Sequence, residues 1–137
     1  TMEQMALGFT GIIVVEEDKD PGFDAEISLN LRDFRLDGQG EWIELWTARV
    51  AAHGGTFGTL MTTNWRVEPE YTAQAGSLVR LRVAATDTTR IYKLFMPDVA
   101  AKVIALDGHP LPALVDMPRT EENRLFLGLV NAPTLRF

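Results

Sequence analysis

The sequence reads as an all-β chain, a sandwich or barrel built from short strands. Three observations carry that reading. Segments with strict apolar–polar alternation recur, residues 25–34 and 78–84 being the clearest, and a period of two marks a half-buried strand. Strand-like runs return at intervals of about ten residues, with Gly, Pro, Asp and Asn turn signals between them. A helical period is carried only by residues 41–52.

In chain order, residues 1–11 hold Met2, Met5, Leu7 and Phe9 without a clean period. Ile12, Ile13, Val14 and Val15 form a β-branched run stopped by Glu16 and Glu17, which predicts a strand. The polar stretch from Glu17 to Gly22 combines charge, proline and glycine and is the best linker candidate. In 25–34, Ile27, Leu29 and Leu31 are expected to face inward and Glu26, Ser28, Asn30 and Arg32 outward, in antiparallel pairing. Asp37-Gly38-Gln39-Gly40 closes that strand with a turn. Trp42, Leu45, Trp46, Arg49 and Val50 share one helical face. His53-Gly54-Gly55 ends the pattern, so a short helix in a long connection is expected.

Residues 59–63 read as a strand. In 78–84, Val79, Leu81 and Val83 are expected inward and Arg80 and Arg82 outward. Thr86-Asp87-Thr88-Thr89 is a turn. Residues 91–96 are apolar on both faces and predict a central strand. Pro97-Asp98 turns the chain, residues 102–106 return it, and Leu125, Leu127 and Leu129 mark a last strand.

At 137 residues the chain suffices for one domain with a core. Its formal charge of −6 makes it a poor electrostatic match for nucleic acid or an anionic membrane. No apolar run reaches the roughly 20 residues of a membrane helix, and no segment reads as a secretory signal. Thr1 at the first position is compatible with an internal fragment, a processed chain or an expression remnant. The absence of cysteine removes disulfides, thiol catalysis, iron–sulfur ligation and a copper thiolate. No phosphate loop, nucleophile elbow, His-Glu-x-x-His or dinucleotide fingerprint is present.

The polar candidates have plain readings. His53 and His109 are the two histidines, distant in sequence and without a His-x-His partner. They are read as surface or turn residues, since a metal site needs several converging ligands. Asp107 before Gly108 is a turn residue, and Glu121-Glu122-Asn123 a solvated turn. Arg80, Arg82 and Arg90 make an anion site or, preferably, a solvent face. Trp42, Trp46 and Trp65 make a ligand platform or cover a core edge.

An ordered succession of segments resembles the three-domain multicopper oxidases of the laccase type. Residues 3–16 resemble the stretch in which Gly-x-x-Gly precedes a strand ending in Val-Glu. Asp33-Phe34 resembles an acidic–aromatic pair at a strand end. Thr59-Leu60-Met61-Thr62-Thr63-Asn64 resembles the strand Leu-Thr-Val-Asn-Gly, with Trp65 in the glycine position. Residues 74–83 resemble Pro-Gly-x-x-Val-Arg-Leu-Arg, with Ala75 in the proline position. Thr89-Arg90-Ile91-Tyr92 resembles Ala-Arg-Ile-Tyr, and residues 103–111 resemble Val-Ile-Ala-x-Asp-Gly-x-Pro-Leu. Residues 127–132 depart from the family, which continues with Leu-x-Pro-Gly-x-Arg-x-Asp.

The resemblance implies a cupredoxin-like Greek-key β-sandwich. It divides the chain into the end of a preceding cupredoxin domain (1–17), a linker (18–22) and a middle cupredoxin-like domain (23–137) with shortened or diverged closing strands. The parent enzyme would use copper to couple one-electron oxidation of phenols, amines or metal ions to reduction of oxygen to water, in the periplasm or outside the cell. This chain would hold no catalytic residue, metal or cofactor, and alone would be inactive. It would space the copper-bearing neighbours and wall part of the substrate pocket. There Asp33, Asp107 or Asp116 is conceivable as proton acceptor for a phenol, and Arg80 and Arg82 as a packing face. Strand 12–15 is expected to dock on its own sandwich or to cross to a second copy as a homo-oligomer contact. The reading from another class is a free-standing module binding a carbohydrate or aromatic ligand through Trp42, Trp46 and Trp65.

Overall fold

The computed structural model describes residues 1–127. The expectations for Leu129, for the departure at 128–132 and for the end of the domain therefore lie outside the described residues. The chain opens with one helical turn, α1 (Met2–Ala6). Thr1 closes it with a capping box: its hydroxyl accepts from the Gln4 N–H, and the Gln4 side chain accepts from the terminal amino group at 2.7 Å. No apolar period announced this turn.

The central element is β1 (Ala25–Phe34). It lies between β2 (Leu60–Thr63), antiparallel, and β3 (Val79–Ala85), parallel. The predicted bounds of β1 are correct, but antiparallel pairing holds on one side only. A parallel neighbour needs a long crossover, and residues 35–78 provide it. Within that crossover the helix is α2 (Ala48–Ala52). Residues 41–47 do not join it, because Leu36 and Trp42 bridge and fix that stretch as a small hairpin instead. Thr47 caps α2, and Gly54 and Gly55, at φ +111 and +107, end it as expected.

Two further pairs complete the described strands. β4 (Tyr92–Leu94) pairs antiparallel with β7 (Leu125–Leu127). β5 (Lys102–Leu106) pairs antiparallel with β6 (His109–Asp116). The central strand expected over 91–96 is thus three residues long and pairs with β7 alone among the described residues. Its two apolar faces were a misleading signal, because Ile91 and Phe95 stay exposed. β6 carries Pro110 and Pro112, which give no ladder donor and suit an edge; that is why it escaped notice.

Two tight turns need left-handed backbone. Asp107 and Gly108, at φ +48 and +77, join β5 to β6 as a two-residue primed turn. Asn64 and Trp65, at φ +50 and +61, do the same between Thr63 and Arg66. Trp65 therefore holds the conformation of the glycine it replaces, at a steric cost glycine would avoid.

Burial reverses the expected faces. Arg32, Asn30 and Arg80 were assigned to solvent, yet they are 1%, 2% and 9% exposed. Leu81, assigned inward, is 39% exposed. Ala85, at 8% exposed, is the one buried apolar side chain among the described residues. The cause is the N-terminal segment, whose carbonyls and Thr10 hydroxyl lie against the polar face of β1. Arg32 donates to the carbonyls of Met5 and Ala6 at 2.7 and 2.9 Å and to Thr10 Oγ1 at 3.1 Å. Its guanidinium sits 4.5 Å from the Phe34 ring centroid. Further along, Arg80 stacks over Phe23 at 4.3 Å and pairs with Glu17 and Glu26 at 2.6 and 3.3 Å.

The strand expected at 12–15 does not form. Residues 11–17 have no strand assignment and make no backbone hydrogen bond among the described residues. Ile13 and Val15 are 92% and 81% exposed, so residues 12–15 add no strand to the sheet, although Glu17 just beyond them reaches Arg80 on β3. A β-branched run becomes a strand only beside a neighbour that can take its N–H and C=O groups.

Truncating Arg32 takes the side-chain donor from the Ala6 carbonyl, leaves the Met5 carbonyl with the Gly8 N–H alone, and empties a buried site. Arg32→Ala is expected to lose about 3 kcal/mol in denaturant unfolding and to make residues 1–17 the first site of proteolysis. Unchanged stability would contradict the role given to Arg32.

Candidate functional site

The densest group of titratable side chains surrounds the end of β1. Asp33 Oδ2 accepts from the Gly58 N–H at 2.8 Å and from Arg90 Nε at 2.6 Å. The Asp33 N–H donates to Asp87 Oδ2 at 2.8 Å. Asp87 Oδ1 accepts from the N–H groups of Thr89 and Arg90 at 2.9 and 2.8 Å, which makes the 86–89 turn. Arg90 closes the circuit by donating to the Gly58 carbonyl at 3.0 Å. The cluster thus ties β1, the 54–58 loop and the turn after β3 together.

Electrostatics follow from burial. Removal from water pushes the Asp33 carboxyl up, and the adjacent Asp87 carboxylate adds to this against the pull of Arg90, so it titrates at about 6. Burial also acts upward on Asp87. There the hydrogen bond with Asp33 and the three backbone N–H donors win and hold it below the usual carboxylate range. Burial, then Asp87 and Asp33, push the Tyr92 phenol up. Burial pulls the Arg32 guanidinium down. The cluster encloses a cavity of about 10 Å³, room for about one water and none for a phenol ring. It can hold a proton; it does not offer Asp33 to a substrate.

The other candidates are dispersed. His53 is the exposed C-cap of α2 and His109 an exposed residue at the start of β6. Asp107 is the turn residue expected. Asp116 is exposed beside the Lys102 ammonium at 2.6 Å, which holds its carboxyl below the usual range. Glu121-Glu122-Asn123 is an exposed turn, also as expected. Arg80 and Arg82 do not form an anion site, because Glu17 and Glu26 meet their charges; Arg80 is buried, while Arg82 pairs with Glu26 on the exposed part of that face, as expected of a solvent face. Arg90 is committed to Asp33.

No three His, Cys, Asp or Glu side chains converge as a metal site among the described residues. Two separate histidines and no thiolate do not fit a copper centre, which draws on imidazole clusters and a soft sulfur.

Trp42 and Trp46 line one open cleft of about 300 Å³ with Glu3, Leu7, Ile43, Glu44 and Leu45; Trp65 does not line it. Trp65 stands at its turn against Gly8. Sequence reasoning missed Arg32, Asn30 and Asp87. The only signal was the Arg32-Asp33 doublet on a strand with a second acid in a Thr-rich turn, and nothing in the sequence brings 33 and 87 together.

No protein-family model matches the chain, and no curated protein does. Among solved structures the chain is similar to a multi-copper oxidase from Pseudomonas thermotolerans, at 37% identity with a TM-score of 0.80. The match covers 93% of this chain and 31% of that one, so the chain spans about a third of the relative's length.

Two measurements test the cluster. Below 3.8, the ordinary value, both folded and unfolded chains protonate Asp33; up to about 6 only the folded chain does. The stability this gives is full at low pH and is lost as pH rises through about 6. The unfolding midpoint should therefore fall more steeply from about pH 4 to about 7 than that of Asp33→Asn; equal slopes would contradict the assignment. Separately, a Cβ at Gly58 runs into the Asp33 carboxyl, whereas Gly38 faces open space. Gly58→Ala should cost about 2 kcal/mol and Gly38→Ala almost nothing in the same unfolding assay.

Taken over its length, that likeness agrees with the strand inventory and with the ordered motifs from Asp33-Phe34 to Asp107-Gly108: over 93% of its residues the chain matches a domain of cupredoxin-like fold in a multicopper oxidase.

Proposed function

We propose that this chain is the copper-free middle domain of a laccase-type multicopper oxidase, with residues 1–17 closing a preceding domain and 18–22 as linker. The donor set carries this reading: a family whose chemistry needs clustered imidazoles and a thiolate is represented here by two separate histidines and no cysteine. The parent enzyme would couple one-electron oxidation of phenols, amines or metal ions to reduction of oxygen to water, in the periplasm or outside the cell. Its copper would supply all the redox chemistry from neighbouring domains, and no step passes through this chain. The role of this domain is to space those neighbours and to wall part of the substrate pocket.

The surface supports a domain made to be covered. Ile13, Val15, Leu78, Met61 and Leu114 are between 58% and 92% exposed, and apolar side chains on this scale suit contacts with other domains. Segment 12–15, which pairs with no strand among the described residues, is read as a strand awaiting the sheet of the preceding domain or of a second copy. The free-standing binding module rested on three tryptophans acting together, and Trp65 does not share the cleft of the other two.

Extending the natural open reading frame tests the proposal. A His-x-His run upstream and a His-Cys-His run downstream are expected. In parallel, the isolated chain incubated with copper(II) and passed through gel filtration should retain no stoichiometric metal and consume no oxygen with a phenol. A frame that closes tightly around residues 1–137, or one tightly held copper per chain, would overturn it.

A further inference from the structure

The geometry points to a binding site for a small alkylammonium cation in the cleft between α1 and residues 42–46. It needs neither copper nor neighbouring domains, and so stands independently of the oxidase reading.

The cleft measures about 300 Å³, the lower end of what small-molecule sites occupy. Trp42 and Trp46 supply two indole rings, 48% and 46% exposed. An indole face carries negative quadrupole charge and attracts a cation within about 6 Å of its centroid. Leu7 and Leu45 add apolar surface for methyl or methylene groups. Glu3 and Glu44 bring two carboxylates, neither in an ion pair among the described residues. No lysine or arginine lines the cleft. Indole rings, aliphatic surface and unopposed negative charge together fit a cation with an alkyl shell. They repel an anion, and they give a neutral sugar no benefit from the two charges.

The walls are set before any ligand arrives, which lowers the cost of binding. Asp37 accepts from the N–H groups of Gln39 and Glu41 at 2.8 and 2.9 Å, fixing the turn that presents Trp42. The Trp42 ring then stands edge-on to Phe34, centroids 5.8 Å apart. Arg35 donates to the carbonyls of Glu44 and Phe57 at 3.2 and 2.9 Å. It thereby anchors the backbone of Glu44 while making no ion pair with its carboxylate. On the other side the capping box of Thr1 and the grip of Arg32 hold α1, and with it Glu3 and Leu7.

The test is calorimetric titration of the full chain with choline and with the neutral isostere in which carbon replaces its nitrogen. Choline should bind about ten-fold more tightly than the isostere, the equivalent of a cation–π and charge contribution of ordinary size. Trp46→Ala, and separately the pair Glu3→Gln with Glu44→Gln, should each weaken choline by about ten-fold without shifting the thermal midpoint. Trp42→Ala is avoided as a reporter because that ring also packs on Phe34. Equal affinity for the isostere, no choline binding at millimolar concentration, or undiminished binding by the glutamine pair would each overturn the site. Binding of cellotriose in place of choline, abolished by Trp46→Ala, would overturn it in favour of a carbohydrate.

Discussion

The burial of charge on β1 is the constraint on which the described structure turns. Arg32 and Asp33 are adjacent on one strand, point to opposite faces, and are 1% and 6% exposed. A buried charge without partners costs several kcal/mol, so each must be met by something fixed. Arg32 is met by the carbonyls at the end of α1, and this brings the first ten residues onto one face of the sheet. Asp33 is met by Arg90 and the Gly58 N–H, and this brings the crossover loop and the turn after β3 to the strand's end. Two neighbouring residues thus fix three separate stretches of chain.

That arrangement accounts for a domain whose best-buried residues are polar. Asn30, Arg32, Thr62, Arg80 and Asp87 are among the least exposed side chains, while Ile27, Leu29 and Leu31 remain only half-buried. Hydrogen bonds within such a network have definite geometry and so specify position more tightly than apolar contact does. The cleft at Trp42 and Trp46 lies along the same N-terminal segment that Arg32 grips.

The strands were legible because alternation and turn chemistry are local. Residues 25–34 and 102–106 came out with correct bounds, and Asp107-Gly108 announced its turn through the left-handed preference of that pair. The likeness to multicopper oxidases was legible from an ordered series of short motifs, none of them specific alone. What sequence could not give was which face of β1 is covered. Alternation says that Ile27 and Arg32 face opposite ways; it does not say that α1 will lie over the arginine. The 12–15 run failed for the related reason that a strand depends on a partner, and the Asp33–Asp87 pair failed because 54 residues separate its members. The open cleft was half legible: Trp42 and Trp46 sit four apart, but Glu3 and Leu7 join them only through the fold.

Native-state hydrogen exchange tests the buried network most directly. The N–H groups of Asp33, Gly58, Thr89 and Arg90 all donate to Asp33 or Asp87 inside the cluster. Those of Gln39 and Glu41 make the same kind of bond to Asp37 in an exposed turn. If the cluster holds the structure together, the first four exchange slowly and with one common opening free energy, matching the amides of β1, while Gln39 and Glu41 exchange freely. Gly58 and Arg90 exchanging as fast as Gln39 would contradict the account.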